Sequence, residues 1–159
     1  MSAAAIMTYP DFYKAAVSCA GNHDNRIYNK GWVEIHFGVN EHQKEVKDDK
    51  GNTHTEYSYS VSSKPNQELA KNYKGGLLLV HGLMDETVNP SHTLRLADAL
   101  IKQNKDFDMI MLPTSTHGFS GNEDKFFEQK MWRHFAKKLL GDNSADDNVD
   151  LYFYMDKNK

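Results

Sequence analysis

The order of apolar runs in this sequence predicts an α/β protein with an open, doubly wound parallel sheet and flanking helices. Two observations carry that expectation. Leu77-Leu78-Leu79-Val80 is a continuous apolar run with glycines on both sides, the pattern of a strand covered on both faces. After it come a helix-spaced set, a second apolar run and a second helix-spaced set, and strand–helix–strand–helix order joins parallel strands through right-handed crossovers.

Each element has its own warrant, taken from the N-terminus. Ala3 to Met7 is Ala-rich and helix-favouring, and Tyr9-Pro10 interrupts it. Pro10 and Asp11 open a short turn through Lys14. Ala15-Ala16-Val17-Ser18-Cys19-Ala20-Gly21 has no polar face, which predicts a short buried strand ended by glycine. Residues 22–38 are mixed and aromatic, predicting irregular chain with one helical turn around Trp32. From about Asn40 to Pro65 the composition predicts a surface excursion, a loose hairpin. Lys47-Asp48-Asp49-Lys50-Gly51-Asn52 supplies its turn, and Tyr57 to Val61 alternates like an edge strand. Glu68-Leu69-Ala70 predicts a short helix before Gly75-Gly76.

The second half is more regular. Asn89-Pro90-Ser91 starts a helix, and Leu94, Leu96, Ala97, Leu100 and Ile101 recur at helical spacing through about Gln103. Phe107–Leu112 predicts another buried strand, closed by Pro113. Phe126, Phe127, Met131, Trp132, Phe135, Leu139 and Leu140 predict one long amphipathic helix ending at Gly141, with Phe126, Phe127, Trp132 and Phe135 on its core face. Lys137 and Lys138 complement its dipole. The division that follows is a domain over 1–141 and a polar, loosely held tail over 142–159.

Composition excludes several classes. The 159 residues suit one domain, and the net charge of −3 gives no basic footprint for nucleic acid. No run approaches the roughly 18 apolar residues of a membrane span. The N-terminus as it stands has neither the basic region nor the apolar core of a secretory signal. A single cysteine, Cys19, excludes an internal disulfide framework and a Cys-based zinc site, and is expected to be an inert core thiol. The histidines show no metal-ligand spacing and no H-E-x-x-H pattern, so neither metal nor cofactor is expected.

In a sheet of this kind ligands bind beyond the carboxyl ends of the strands. Two loops leave such ends here, His81 to Val88 and Pro113 to Phe119, and each carries an ionisable group in a glycine-containing turn. Adjacent parallel strands lie roughly 4.8 Å apart, so Asp85 on one loop can reach His117 on the other. A carboxylate so placed holds a general-base histidine in one tautomer and stabilises its cation. Residues alone leave Asp85 open to a turn-capping role or a surface ion pair, and His117 open to simple solvation. His81 reads as a supporting or packing residue at the strand end. Tyr28 and Trp32, four apart, fit ordinary helix packing as well as a pocket wall. The order Asp then His matches the α/β-hydrolase triad, but no G-x-S-x-G occurs in the chain.

A set of segments carries a family resemblance: Met1-Ser2-Ala3-Ala4 with Thr8 to Val17, Gly75–Asp85 with Val88-Asn89-Pro90, Thr93–Asn104, and Phe107–Leu112 with His117-Gly118-Phe119. Together they resemble the C-terminal part of the catalytic, α/β-hydrolase domain of prolyl oligopeptidase-type serine peptidases, in particular the dipeptidyl peptidase IV branch. The resemblance implies the C-terminal half of that fold. In the family the nucleophile motif runs into Met-Ser/Thr-Ala, so it implies a serine about five residues before Met1, with the strands preceding it and a β-propeller also outside the chain. It implies Asp85 as triad acid and His117 as base. Tyr28 and Trp32 fall where two aromatics line the S1 pocket, though the family usually has Tyr at the second place. Val88 matches an apolar S1 wall. Thr87 stands where dipeptidyl peptidases commonly have Asn against the substrate backbone.

The implied activity is a serine peptidase acting on short peptides, with cleavage after proline one option, and this chain alone inactive. An esterase or acyl-peptide hydrolase of the same fold is the alternative. From another class, a non-catalytic module could bind a partner through its open sheet edge, and half a sheet with a free edge is expected to form dimers or aggregates. Family analogy points to an extracytoplasmic, periplasmic location.

Overall fold

A computed structural model describes residues 1–144. The expected loose tail falls mostly on residues 145–159, outside the described residues. Along the chain run α1 (Ser2–Thr8), β1 (Ala15–Cys19), a 3-10 turn (Asn25–Ile27), α2 (Lys30–Phe37), β2 (Asn40–Lys47) and β3 (Thr53–Ser60). A second 3-10 turn (Asn66–Asn72), β4 (Gly76–Gly82), α3 (Ser91–Lys102), β5 (Asp108–Leu112) and α4 (Gly121–Phe135) follow. These elements form two compact units, Met1–His23 with the chain from Asn66 onward, and Asp24–Pro65.

In the first unit, β1, β4 and β5 make a parallel sheet in the order β1-β4-β5. The parallel α/β architecture expected from the sequence is present. Every residue of β4 is buried, as its unbroken apolar run requires. Because side chains alternate across a strand, β4 feeds two cores. Leu77 and Leu79 pack with Ala3, Ile6 and Met7 of α1 and with Leu96, Ala97 and Leu100 of α3. Leu78 and Val80 pack on the opposite side with Leu112, Phe119, Phe126 and Phe127. The result is three layers with helices on both faces of the sheet.

Three expectations are corrected. β1 and β5 are not continuously buried: β1 buries only Ala16 and Ser18, and β5 only Leu112. Both lie at the sides of the described sheet, with a strand neighbour on one side only. Cys19 is therefore exposed rather than a core thiol. Desolvation by the neighbouring chain still pushes its thiol up to about 11, leaving little thiolate at neutral pH. Finally, α4 ends at Phe135 and continues as a π turn over Ala136–Leu140, closing at Gly141. Its core face is Phe126 and Phe127, whereas Trp132 is 65% exposed. At 100° per residue Trp132 lies about 140° around the helix from Phe127, too far to share its face.

The second unit is more ordered than expected. Asn29 caps α2 by accepting the Trp32 N–H at 2.9 Å, so the single turn foreseen around Trp32 is a two-turn helix. β2 and β3 pair antiparallel without a slip from Asn40–Ser60 to Lys47–Thr53. Asp48 accepts the Lys50 and Asn52 N–H groups at 2.9 and 2.8 Å, and Gly51, with φ of +81°, completes the turn. Both faces of this hairpin are exposed apart from the half-buried Val46. Among the described residues no helix is long and apolar enough to cross a membrane.

Candidate active site

The site begins with the register of β4 and β5. Gly82 pairs with Leu112, so both strands end at the same level and their loops leave side by side. Backbone bonds then stitch the loops together: Leu83 N–H donates to Leu112 O at 2.8 Å, and Met84 N–H to Ser115 O at 3.0 Å. Gly82 is required here because a Cβ would overlap the carbonyl oxygens of Ser115 and Thr116.

Across that seam Asp85 and His117 meet. His117 Nδ1 lies 3.0 Å from Asp85 Oδ2, with the carboxylate fully buried and the imidazole about half exposed, at 47%. Asp85 Oδ1 also accepts the Thr87 and Val88 N–H groups at 2.9 and 2.8 Å. Burial alone would raise the Asp85 carboxyl. The Val88 N–H, the His117 ring and the Thr87 N–H outweigh it and hold the group below its ordinary value. An ionised carboxylate fixes Nδ1 of His117 as the donor, which leaves Nε2 free to accept a proton. A carboxylate-oriented imidazole of this kind can take a proton from a hydroxyl.

His81 forms the floor of the loop. It is completely buried, with Nδ1 2.7 Å from Thr93 Oγ1 and Nε2 2.8 Å from Val88 O. A carbonyl can only accept, so Nε2 carries a proton toward Val88 O. The same Nε2 lies 3.1 Å from Asp85 Oδ2. His81 is thus the supporting residue that its strand-end position suggested.

The other sequence-predicted residues fall as follows. Val88 is buried beneath the Asp85 loop and Thr87 is exposed beside it. Tyr28 and Trp32 belong to the second unit, where their rings meet edge to face with centroids 5.3 Å apart. Trp32 also stacks on His36 at 4.2 Å and is 41% exposed.

Two further polar residues of the first unit are not evident from the amino-acid sequence. Glu123 in the first turn of α4 accepts the Thr114 N–H at 3.0 Å and the Ser115 hydroxyl. The spacing Ser120-x-x-Glu123 before an apolar helix was the available signal, since it matches a capping box. The carboxylate reaches past the Ser120 cap to the His117 loop instead. His23 is the second. It is buried, its Nδ1 accepts the Asn66 side-chain amide at 3.0 Å, and its Nε2 has no hydrogen-bond partner among the described residues.

A family model described as the prolyl oligopeptidase family matches residues 1–155. The chain belongs to that family. Dipeptidyl peptidase 8 of Mus musculus and of Homo sapiens are each 26% identical over 146 residues. The match covers 91% of this chain but 15% of each relative, so the chain spans a small part of their length. Among solved structures, a protein described as a dipeptidyl aminopeptidase IV from Bacteroides ovatus superposes with a TM-score of 0.70. It is 22% identical, with 87% of this chain and 18% of that one covered. Porphyromonas gingivalis dipeptidyl peptidase 4 gives 0.62 at 21% identity, covering 80% and 16%. At these identities the structural likeness bears on the fold, and the fold agrees with the family.

Proposed function

We propose that this chain is the C-terminal portion of a serine peptidase catalytic domain, with Asp85 and His117 as two members of a Ser-His-Asp triad. The observation that carries the reading is the 3.0 Å contact between His117 Nδ1 and Asp85 Oδ2, on neighbouring loops at the carboxyl ends of parallel strands. The third member would be a serine on polypeptide outside residues 1–159. Its Oγ attacks the scissile carbonyl as His117 Nε2 accepts the hydroxyl proton, and His117 then passes that proton to the leaving amine. Asp85 stays ionised, orients the ring and offsets the charge of the imidazolium. The depressed Asp85 carboxyl suits that part.

The substrate reading is a short peptide, with dipeptide release as the form suggested by relatives named dipeptidyl peptidases, and cleavage after proline as the option that the prolyl oligopeptidase family suggests. Tyr28, Trp32 and Val88 would contact the side chain before the cut bond, and Thr87 the substrate backbone. A tryptophan at position 32 would narrow and reshape that pocket relative to a tyrosine. Because an acid and a base have no nucleophile to activate here, the 159-residue chain should not hydrolyse Gly-Pro or Ala-Pro anilides above background. Joined to in-frame upstream sequence containing G-x-S-x-G it should do so, and His117→Ala should then reduce kcat by about 10³-fold or more. An upstream frame without that motif, or an H117A protein of undiminished activity, would sink the triad.

A further inference from the structure

The loop that carries His117 runs from Pro113 to Ser120 between β5 and α4. Its first half is tied to the Asp85 loop through the bond from Met84 N–H to Ser115 O. Beyond Ser115 the polar contacts among the described residues include a 3.3 Å hydrogen bond from Thr116 Oγ1 to Gly118 O, the Asp85 bond to His117 itself and, at the helix start, the Asp124 N–H donating to Ser120 O at 3.3 Å. The ring is about half exposed, so packing holds it on one side only. A short segment of this kind, left to itself, samples many conformations, and each one that carries the ring away from Asp85 breaks the pair.

Glu123 closes the segment from its far side. Its two carboxylate oxygens take separate donors, Oε1 the Thr114 N–H and Oε2 the Ser115 hydroxyl, three and two residues before His117 in sequence. The carboxylate stands on the first turn of α4, a helix whose Phe126 and Phe127 are packed against the sheet. A rigid element therefore grips the entry to the loop that it also terminates, and because Phe119 packs on Phe127 of the same helix with ring centroids 5.2 Å apart, the free segment shrinks to Thr116–Gly118.

We propose that Glu123 is a positioning residue, which fixes the loop through Thr114 and Ser115 and so holds the His117 imidazole on the Asp85 carboxylate. The proposal rests on the reading of Asp85 and His117 as a working pair. Bonds to a charged acceptor are stronger than neutral ones, so an ionised Glu123 is the effective form. The Ser115 hydroxyl is the main reason that its carboxyl lies below the ordinary value, outweighing desolvation. A capping box would have spent this carboxylate on the Ser120 N–H. Its use on the preceding loop is what separates positioning from simple helix capping.

The test uses the 159-residue chain and needs no catalysis. The Nδ1 proton of His117, hydrogen-bonded to a carboxylate, should give a low-field proton NMR signal that His117→Gln removes. Glu123→Ala should broaden it or speed its exchange with water by about tenfold, while the urea midpoint moves little. Ser115→Ala, which deletes one of the two donors, should give a smaller change in the same direction. Glu123→Gln should recover part of the wild-type signal, because its amide oxygen can still accept from Thr114 but carries no charge. A signal in E123A and S115A that exchanges at the wild-type rate would overturn the positioning role. Should E123A fail to fold, S115A alone decides by the same criterion. Absence of any His117-dependent signal in the wild-type chain would instead sink the Asp85–His117 pair itself, and the proposal with it.

Discussion

β4 and β3 are strands of similar length with opposite surroundings. All of Gly76–Gly82 is buried between two helical layers, and all of Thr53–Ser60 is exposed. Their sequences anticipate the contrast, since GLLLVHG offers apolar side chains to both faces and THTEYSYS offers polar or amphipathic ones to both. The candidate catalytic pair hangs from the end of the buried strand. A loop anchored to a strand with no freedom to shift can hold two side chains within hydrogen-bond distance, which an exposed ribbon cannot do unaided. The difference teaches that the precision needed at Asp85 and His117 originates in the two cores beneath them.

The sharpest way to break the comparison is to weaken β4. Leu79 is fully buried against α1 and α3, so Leu79→Ala should cost about 2–5 kcal/mol in urea unfolding. It should also weaken the low-field signal of His117, although Leu79 touches neither member of the pair. A loss below about 0.5 kcal/mol would mean that the cores do not support the loops as argued.

A second effect belongs to the buried unit alone. Burial, aided by the positive chain terminus, His92 and His81, pushes His23 down to about 3 from an ordinary 6.5. Between those values the unfolded chain binds a proton that the folded chain does not, so stability rises with pH across the window. The contribution is complete above about pH 6.5 and falls by up to about 1.4 kcal/mol per unit below it, roughly 2 kcal/mol by pH 5. His23→Gln should flatten this slope. A wild-type unfolding free energy unchanged between pH 7 and 5 would refute the assignment. Asp85 acts in a lower window. Its depressed carboxyl contributes stability above the ordinary carboxylate range, and that is lost as pH falls through its folded value.

The sequence made the central architecture readable because β4 and α3 express single periods without competition. The short run Leu77–Val80, flanked by glycines, reads as a strand buried on both faces, and Leu96, Ala97 and Leu100 fall on one helix face. The Asp85–His117 juxtaposition was legible for the same reason, since parallel neighbours place successive loops together. Burial at the sheet sides was not legible, because the Ala15–Cys19 and Phe107–Leu112 runs look like interior strands and their chemistry does not state how many neighbours they have. In α4 Trp132 was misplaced because it lies about 140° around the helix from Phe127, and the helix end because a π turn, unmarked by proline or glycine, took over after Phe135. Glu123 was hidden by a plausible local use, the helix cap, that its tertiary contact displaced.

The smallest expected effect concerns the hairpin. Gln43 pairs with Tyr57, so their backbones lie one strand spacing apart, and the thirteen residues between them can be replaced by Asn-Gly, which closes a two-residue turn of the right twist. The excised part, Lys44 to Glu56, is exposed apart from the half-buried Val46 and contributes no residue to either core. Its removal should leave the urea midpoint within about 0.5 kcal/mol of wild type and the His117 signal unchanged. Retention of both would place the determinants of the pair wholly within the layered unit. A loss of about 2 kcal/mol or more, or a displaced His117 signal, would mean that the exposed ribbon supports the site, and the contrast between β3 and β4 would no longer explain where its precision comes from.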